Sequence, residues 1–114
     1  MRASRRAAEQ VIQKGMDRPF FAYVLACVDG SYYVGHTDDM EIRLSQHQAG
    51  CGCAWTASRL PVRLVWSQEF ATREEARETE RRLKGWSRAK KAALARGDFN
   101  LIHDLSRRAQ PFLK

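Results

Sequence analysis

The feature that most constrains this chain is a pair of β-type runs joined by a turn signal. Residues 20–28 (FFAYVLACV) combine aromatic and apolar side chains with β-branched ones, and residues 31–36 (SYYVGH) resume the pattern after Asp29-Gly30. Such runs on either side of an Asp-Gly pair are typical of a β-hairpin. The sequence therefore predicts two adjacent antiparallel strands early in the chain.

A helix is predicted directly after the hairpin. Thr37 or Asp38 is expected to cap it, and the helical pattern runs over residues 38–48. Arg43 and His47 stand four residues apart in this segment. Because side chains at i and i+4 are neighbours on a helix surface, we expect these two polar side chains to project together.

The length of the hairpin loop decides whether two tyrosines share one face of the sheet. Side chains alternate across a strand, so a two-residue turn at the Asp-Gly pair places Tyr33 opposite Ala26 and separates Tyr33 from Tyr23. An odd-length loop such as residues 29–31 places Tyr33 opposite Cys27, on the face of Tyr23. If both phenols serve one site, the loop is odd or the hairpin carries a bulge.

The second half of the chain predicts one more strand and then helices. Alternation after Pro61 predicts a strand over residues 62–70. A capping box at 72–75 begins a helix over 73–86, and further helices are predicted over 88–96 and 100–108.

The predicted fold class is α+β, with a small three-stranded antiparallel sheet in the order hairpin, helix, strand, flanked by helices. With 114 residues, the chain has material for one modest core. We expect one domain over residues 19–108, a basic extension over residues 1–18 and a tail over residues 109–114.

A net charge of +7 suits a polyanionic partner, since many of the 20 Lys and Arg residues are Arg, which matches phosphate oxygens bidentately. A solubilising charge excess is the alternative. Three cysteines without a signal peptide indicate a reducing compartment. No apolar run approaches the length of a membrane-spanning helix, so a cytoplasmic location without a membrane partner is expected.

One carboxylate interrupts an apolar helical stripe. Glu80 lies between Ala76 and Leu83 on the face predicted to be buried. A carboxylate in that position either pairs with an arginine or holds a metal ion, and the residues alone favour the ion pair.

The glycine-rich loop over residues 49–56 offers two further alternatives. Cys51 and Cys53 lie close in sequence to His47, but Cys-x-Cys is not a standard zinc spacing and no second ligand pair follows. Trp55 is a candidate for stacking on a nucleobase, although a tryptophan is more often partly buried.

The polar residues of the hairpin and its helix resemble a known signature. Tyr23-Val24, then Tyr33-Val34-Gly35 ten residues after Tyr23, then Arg43 and His47 on the next helix resemble the GIY-YIG nuclease superfamily. The similarity is greatest to small stand-alone, YhbQ-like members and to the nuclease domain of structure-specific endonucleases. It covers roughly residues 19–94 and departs where Phe-Ala-Tyr replaces Gly-Ile-Tyr, with the tyrosine retained.

The resemblance implies a role for each residue. Tyr23 is implied as general base, and Tyr33 as its companion that orients water or phosphate. Arg43 neutralises phosphate oxygens, and His47 contacts phosphate or accepts a proton. Glu80 holds a single Mg²⁺ or Mn²⁺, an ion that needs only one or two protein carboxylates.

The expected function is a metal-dependent endonuclease that hydrolyses DNA phosphodiester bonds in a DNA-repair setting, on a branched or single-stranded substrate. The alternatives are a non-catalytic nucleic-acid-binding module and a nuclease subunit that needs a protein partner. Substrate contacts are expected from a glycine and five basic residues: Gly35, Arg59, Lys84, Arg88, Lys90 and Lys91.

Overall fold

The computed structural model describes residues 18–100, and this part of the chain contains three strands and four helices. In chain order they are β1 (Phe20–Cys27), β2 (Tyr32–Thr37), α1 (Met40–Gln48), α2 (Ala54–Ala57), β3 (Val62–Phe70), α3 (Arg73–Lys84) and α4 (Arg88–Arg96). The predicted α+β class with a three-stranded antiparallel sheet is confirmed. The basic extension up to residue 17, nearly all of the predicted helix over 100–108 and the tail lie outside the described residues.

The hairpin loop has odd length, as the shared face of the tyrosines requires. The Cys27 amide donates to the Ser31 carbonyl at 2.9 Å, which leaves residues 28–30 as a three-residue loop. Gly30 closes the loop at φ +87°, a conformation that favours glycine. The loop therefore begins one residue earlier than the predicted 29–31, and Tyr33 lies opposite Leu25 instead of Cys27.

A bulge in β3 divides its side chains between two layers. Val24 lies opposite Trp66, whereas Leu25 lies opposite Leu64, so Val65 is the extra residue. Leu64 and Trp66 would otherwise share a face. The bulge instead lets Leu64 pack with the layer around Leu25 and Trp66 with the layer around Val24.

The sheet has the order β2-β1-β3 and carries helices on both faces. On one face Met40 and Leu44 of α1 pack against a core that includes Tyr23. On the other face Leu83 of α3 and Leu94 of α4 pack against Val24 and Val34. The tyrosine face and the α3 face are therefore separate layers that meet around the edge strand β2.

Helix α1 begins later than predicted. Thr37 ends β2 and its hydroxyl accepts from the Asp39 amide at 3.1 Å, so Asp39, not Thr37 or Asp38, is the N-cap. The Asp39 carboxylate accepts from the Ile42 amide at 3.1 Å. This start directs Arg43 and His47 at the sheet.

The other helix boundaries follow the sequence closely. The capping box between Thr72 and Glu75 is confirmed. Helix α3 ends at Lys84, two residues before the predicted Trp86, because Gly85 serves as its C-cap. Helix α4 has the predicted span and ends at Gly97 with φ +74°. Within residues 18–100, no helix is long and apolar enough to cross a membrane.

Candidate active site

Two side chains of α1 converge on the Tyr23 hydroxyl. The Nε of Arg43 donates to this hydroxyl at 3.3 Å, and the Nε2 of His47 lies 2.9 Å from it. The predicted joint projection of Arg43 and His47 is confirmed. The phenol that anchors both residues is fully buried.

The hydrogen bonds of this cluster form a directed chain. Because the Tyr23 oxygen accepts from Arg43, its own proton is free to be donated to Nε2 of His47. This assigns the His47 proton to Nδ1, which lies 2.9 Å from the Thr56 hydroxyl. Thr56 in turn donates to the Cys53 carbonyl at 3.3 Å. Each of these buried polar groups therefore has a partner.

His47 is fully buried, and both of its ring nitrogens are engaged. Burial, aided by the positive charge of Arg43, lowers its pKa from the ordinary 6.5 and keeps the ring neutral. His47 was predicted to contact phosphate or accept a proton; in the free protein its ring is closed off from solvent, and the engaged nitrogens leave no free ligand for a zinc ion.

The depressed pKa of His47 predicts a pH-dependent stability. In the unfolded chain this imidazole takes up a proton below about pH 6.5, whereas the folded environment resists it. Stability is therefore full above that pH and falls as the pH is lowered. We expect the thermal midpoint of unfolding to decrease as the pH is lowered from about 7.5 to about 5. The slope of this midpoint against pH should be smaller in His47→Gln. An unchanged slope in that variant would contradict the assignment.

Tyr33 lies beside the buried hydrogen-bonded cluster of Tyr23, His47 and Thr56 but is itself only partly buried. Its ring centroid is 6.2 Å from that of Tyr23 and 5.0 Å from that of His47. Burial and the neighbouring Cys53 thiol raise the pKa of Tyr33 despite the opposing effect of Arg43. Burial likewise raises the pKa of Tyr23 to about 12. Both phenols are therefore protonated at neutral pH.

Two glycines make this close packing possible. A Cβ on Gly35 would lie 2.6 Å from the Tyr23 oxygen and 3.1 Å from the Tyr33 ring. Gly35 was predicted to let the substrate backbone approach, but in this structure it makes room for the two phenols. Gly52, which the sequence analysis did not identify, lies against the His47 ring in the same way.

Glu80 lies on the opposite layer of the sheet, beside the edge of β2. Its Oε1 is 2.5 Å from Nδ1 of His36, and its Oε2 is 2.7 Å from Nζ of Lys84. The expected arginine partner is thus replaced by a histidine and a lysine. Although partial burial acts in the opposite direction, the hydrogen bonds from Lys84 and His36 lower the pKa of Glu80.

A hollow of about 250 Å³ surrounds this carboxylate. Its lining is otherwise basic: His36, Arg77, Arg81 and Lys84. In the described part of the chain, no group of three or more His, Cys, Asp or Glu side chains is placed to hold a metal ion. A lone carboxylate fits an ion such as Mg²⁺, which takes most of its ligands from water and phosphate. Glu80 can bind such an ion once the Lys84 side chain, which is 57% exposed, moves away from Oε2.

The predicted substrate-binding cations divide into two groups. Arg59 donates to Asp29 at 3.2 Å, Arg88 donates to the Gly30 carbonyl at 3.1 Å, and Lys90 lies 4.2 Å from the Trp86 ring centroid. These three side chains have partners within the chain.

The other two cations of the predicted set face an open surface. Lys84 and Lys91 line a second hollow together with Tyr33 and Trp55. Lys84 also lines the hollow at Glu80. It therefore connects the tyrosine layer with the glutamate layer around the edge of β2.

His36 and Thr56 were not predicted as site residues from the sequence. His36 follows the Tyr-Val-Gly motif, and strand alternation alone would have placed it on the face opposite Tyr33. Thr56 carries no comparable signal, because it reaches His47 from a separate short helix.

Comparison with known proteins places these residues in a family context. Residues 19–93 match the sequence model of the GIY-YIG catalytic domain. This segment includes the two tyrosines, Arg43, His47 and Glu80.

Several relatives match about two thirds of the chain. A UPF0213 protein of Streptococcus pneumoniae is 49% identical over 76 residues, which cover 67% of this chain and 77% of that protein. A UPF0213 protein of Halobacterium salinarum is 44% identical over 72 residues, which cover 63% of this chain and 94% of that protein. The solution NMR structure of a UPF0213 protein from Bacillus halodurans is 41% identical, covers 67% of this chain and 81% of that chain, and has a TM-score of 0.44.

Proposed function

This chain belongs to the GIY-YIG catalytic domain family, and we propose that it is a divalent-ion-dependent endonuclease that hydrolyses phosphodiester bonds in DNA. The family is one of nucleases, and its members generally use divalent ions. We propose that the activity resides in residues 19–108 and that the protein acts in the cytoplasm, where its cysteines stay reduced.

The observation that carries the proposal is the position of Arg43 between two phenols. Its guanidinium donates to Tyr23 and also interacts with the Tyr33 hydroxyl. Phosphodiester hydrolysis needs positive charge on the phosphate and a positioned water. A partly exposed arginine, fixed by a buried phenol and flanked by a second, more accessible one, supplies both.

The burial of the two phenols supports a division of roles. Tyr23 was predicted as the general base, but an attacking water does not reach a fully buried hydroxyl. We propose instead that Tyr33 contacts the attacking water or the phosphate. Tyr23 then holds Arg43 in place and donates its own hydrogen bond to neutral His47.

Glu80 is the residue that would hold the divalent ion. When bound, such an ion supplies charge stabilisation and lowers the pKa of a bound water. The protein residues around Glu80 do different work. Lys84, Arg77 and Arg81 provide positive charge for the phosphate backbone, and His36 fixes the orientation of the carboxylate.

A non-catalytic DNA-binding module is the second candidate, and one observation favours it. Both oxygens of Glu80 have partners in the chain, His36 and Lys84, so the carboxylate is already neutralised. A binding module needs no more than this basic surface.

A cleavage assay separates the two candidates. The purified full chain is incubated with end-labelled duplex, branched and single-stranded DNA, with Mg²⁺, with Mn²⁺ or with a chelator. Products that appear only with a divalent ion support the endonuclease. Binding to DNA without products under any of these conditions supports the module.

DNA affinity is expected to depend steeply on salt. The four cations of the two hollows are Arg77, Arg81, Lys84 and Lys91. If each neutralises one phosphate, affinity falls roughly 100-fold between about 50 and 200 mM salt.

Two arginine variants check this dependence. We expect Arg81→Ala to reduce the slope by about one and Arg63→Ala, on the opposite edge strand β3, to leave it unchanged. Titrations at several salt concentrations measure the slope. An equal effect of the two variants would exclude these hollows as the DNA path.

A further inference from the structure

We propose that the hollow lined by Tyr33 and Trp55 binds one unpaired nucleobase, which docks on these two rings from the open side, so that the nuclease acts on DNA with a single-stranded nucleotide beside the scissile phosphate. This inference rests on the proposed function and adds the substrate class. The hollow measures about 230 Å³ and is lined by Tyr32, Tyr33, Val34, Trp55, Lys84 and Lys91. It is smaller than the roughly 300–1,000 Å³ of typical ligand pockets and suits one flat ring system.

Trp55 is an aromatic wall that is held in place from one side. The Arg59 guanidinium lies 3.8 Å from the centroid of its ring. Arg59 is itself fixed by Asp29 at 3.2 Å and by the Trp55 carbonyl at 2.9 Å. Trp55 nevertheless remains 39% exposed. A fixed, exposed indole is a stacking platform that loses little conformational entropy when a ring docks on it.

Tyr33 provides a second aromatic surface and connects the hollow to the candidate active site. Its ring centroid is 6.0 Å from that of Trp55, at an interplanar angle of 34°. On its other side the Tyr33 ring centroid lies 5.0 Å from that of His47, and the Tyr33 hydroxyl interacts with Arg43. A base in the hollow would therefore place its own sugar and phosphate beside Arg43.

The charges at the hollow suit the backbone of a nucleotide. Lys84 and Lys91 line it, and no acidic residue does. Apolar and aromatic walls with two lysines match a flat base that carries a phosphate on each side. Lys84 is also paired with Glu80 at 2.7 Å, so a phosphate would chiefly add an anionic partner for Lys91, which an apolar protein side chain would not.

The hollow also opens on backbone polar groups. Because the Cys27 amide donates to the Ser31 carbonyl, the alternation of an antiparallel pair directs the backbone groups of Tyr33 toward β1 and those of Val34 away from it. In residues 18–100 no strand pairs with that outer edge of β2. The N–H and C=O of Val34 therefore face the side from which a base would enter.

Stacking in this hollow selects for an unpaired base. In a duplex both faces of each base are covered by its neighbours, whereas an unpaired base can present its face to an aromatic side chain. The combination of stacking walls and flanking cations is the arrangement by which proteins bind single-stranded nucleic acid without strong sequence preference.

The test compares two probes of equal length: a short oligothymidylate and an abasic sugar–phosphate oligomer. Affinity is measured by fluorescence anisotropy on the full chain with a chelator present, so that cleavage does not interfere. We expect the oligothymidylate to bind roughly tenfold more tightly or better, since each stacked base adds to affinity. Trp55→Ala is expected to remove this difference, and Trp55→Phe, which keeps an aromatic ring, to retain most of it.

A matched lysine pair controls for general charge. Lys91→Ala and Lys90→Ala remove the same charge from adjacent positions, but only Lys91 lines the hollow. We expect Lys91→Ala to weaken oligothymidylate binding several-fold more than Lys90→Ala does.

Equal affinity for the two probes, or an oligothymidylate preference that survives in Trp55→Ala, would overturn the inference. Failure of the proposed function looks different. Base-dependent binding without cleavage by any divalent ion leaves the base site standing and removes the nuclease. Divalent-ion-dependent cleavage by a protein that binds both probes equally removes the base site alone.

Discussion

Replacing Glu80 with Gln is expected to remove divalent-ion-dependent cleavage while DNA affinity stays the same or rises slightly. Glu80 is the one acidic side chain in a hollow otherwise lined by His36, Arg77, Arg81 and Lys84. The amide keeps the shape and can still hydrogen-bond to His36, but it has lost the charge that attracts a cation. An ion at a reacting phosphate contributes several kcal/mol, so the single-turnover rate should fall by about 100-fold or more.

Glu78→Gln is the matched control, because Glu78 is an exposed glutamate on the same helix. It makes the same chemical change without touching the hollow, and we expect wild-type rates. Single-turnover cleavage over a series of Mg²⁺ concentrations measures the effect, with thermal unfolding of both variants recorded alongside. A Glu80→Gln protein that cleaves as fast as Glu78→Gln would exclude Glu80 as a metal ligand.

The elements of the fold were predictable because each depends on local sequence. The Asp-Gly turn between two β-type runs, the capping box at Thr72 and the alternation after Pro61 are short-range signals. The convergence of Arg43 and His47 was predictable for the same reason, since helical periodicity fixes it. The exact start of the hairpin loop was not, because Gly30 had to be assigned to the last loop position instead of the centre.

The layers of the site were less predictable, because they depend on how elements pack. Nothing near Glu80 in the sequence shows that α3 covers the face of the sheet opposite Tyr23. The burial of His47 depends on Gly52 and Thr56, which arrive from a loop and a short helix. Spacing can bring polar residues into one region, but only tertiary packing decides which of them substrate can reach.

This packing distinguishes two tyrosines that the motif treats alike. The Tyr23 hydroxyl is fully buried, with Arg43 and His47 as partners, and belongs to the interior. The Tyr33 ring lines an open hollow, and its hydroxyl still interacts electrostatically with the same arginine. In the proposed mechanism, one phenol therefore holds the site together and the other contacts the substrate.

Tyr33→Phe should consequently slow single-turnover cleavage by about 100-fold or more with little loss of stability, because it removes only the hydroxyl that orients the reacting group. Tyr23→Phe should behave in the opposite way. It leaves the buried Nε2 of His47 without its donor, so the free energy of unfolding should fall by about 1–3 kcal/mol. Its rate at saturating DNA should fall only about tenfold, through a less firmly held Arg43.

Each phenylalanine variant is the control for the other. Each one loses a single hydroxyl, and the two rings are neighbours whose centroids lie 6.2 Å apart. Rates are measured at saturating DNA and well below the unfolding temperature of each variant, so that lost stability does not appear as lost activity. A slow, fully stable Tyr23→Phe protein beside a fast Tyr33→Phe protein would return the base role to Tyr23. That result would also require the buried hydroxyl to become accessible to water when substrate binds, because it is closed off in the free protein.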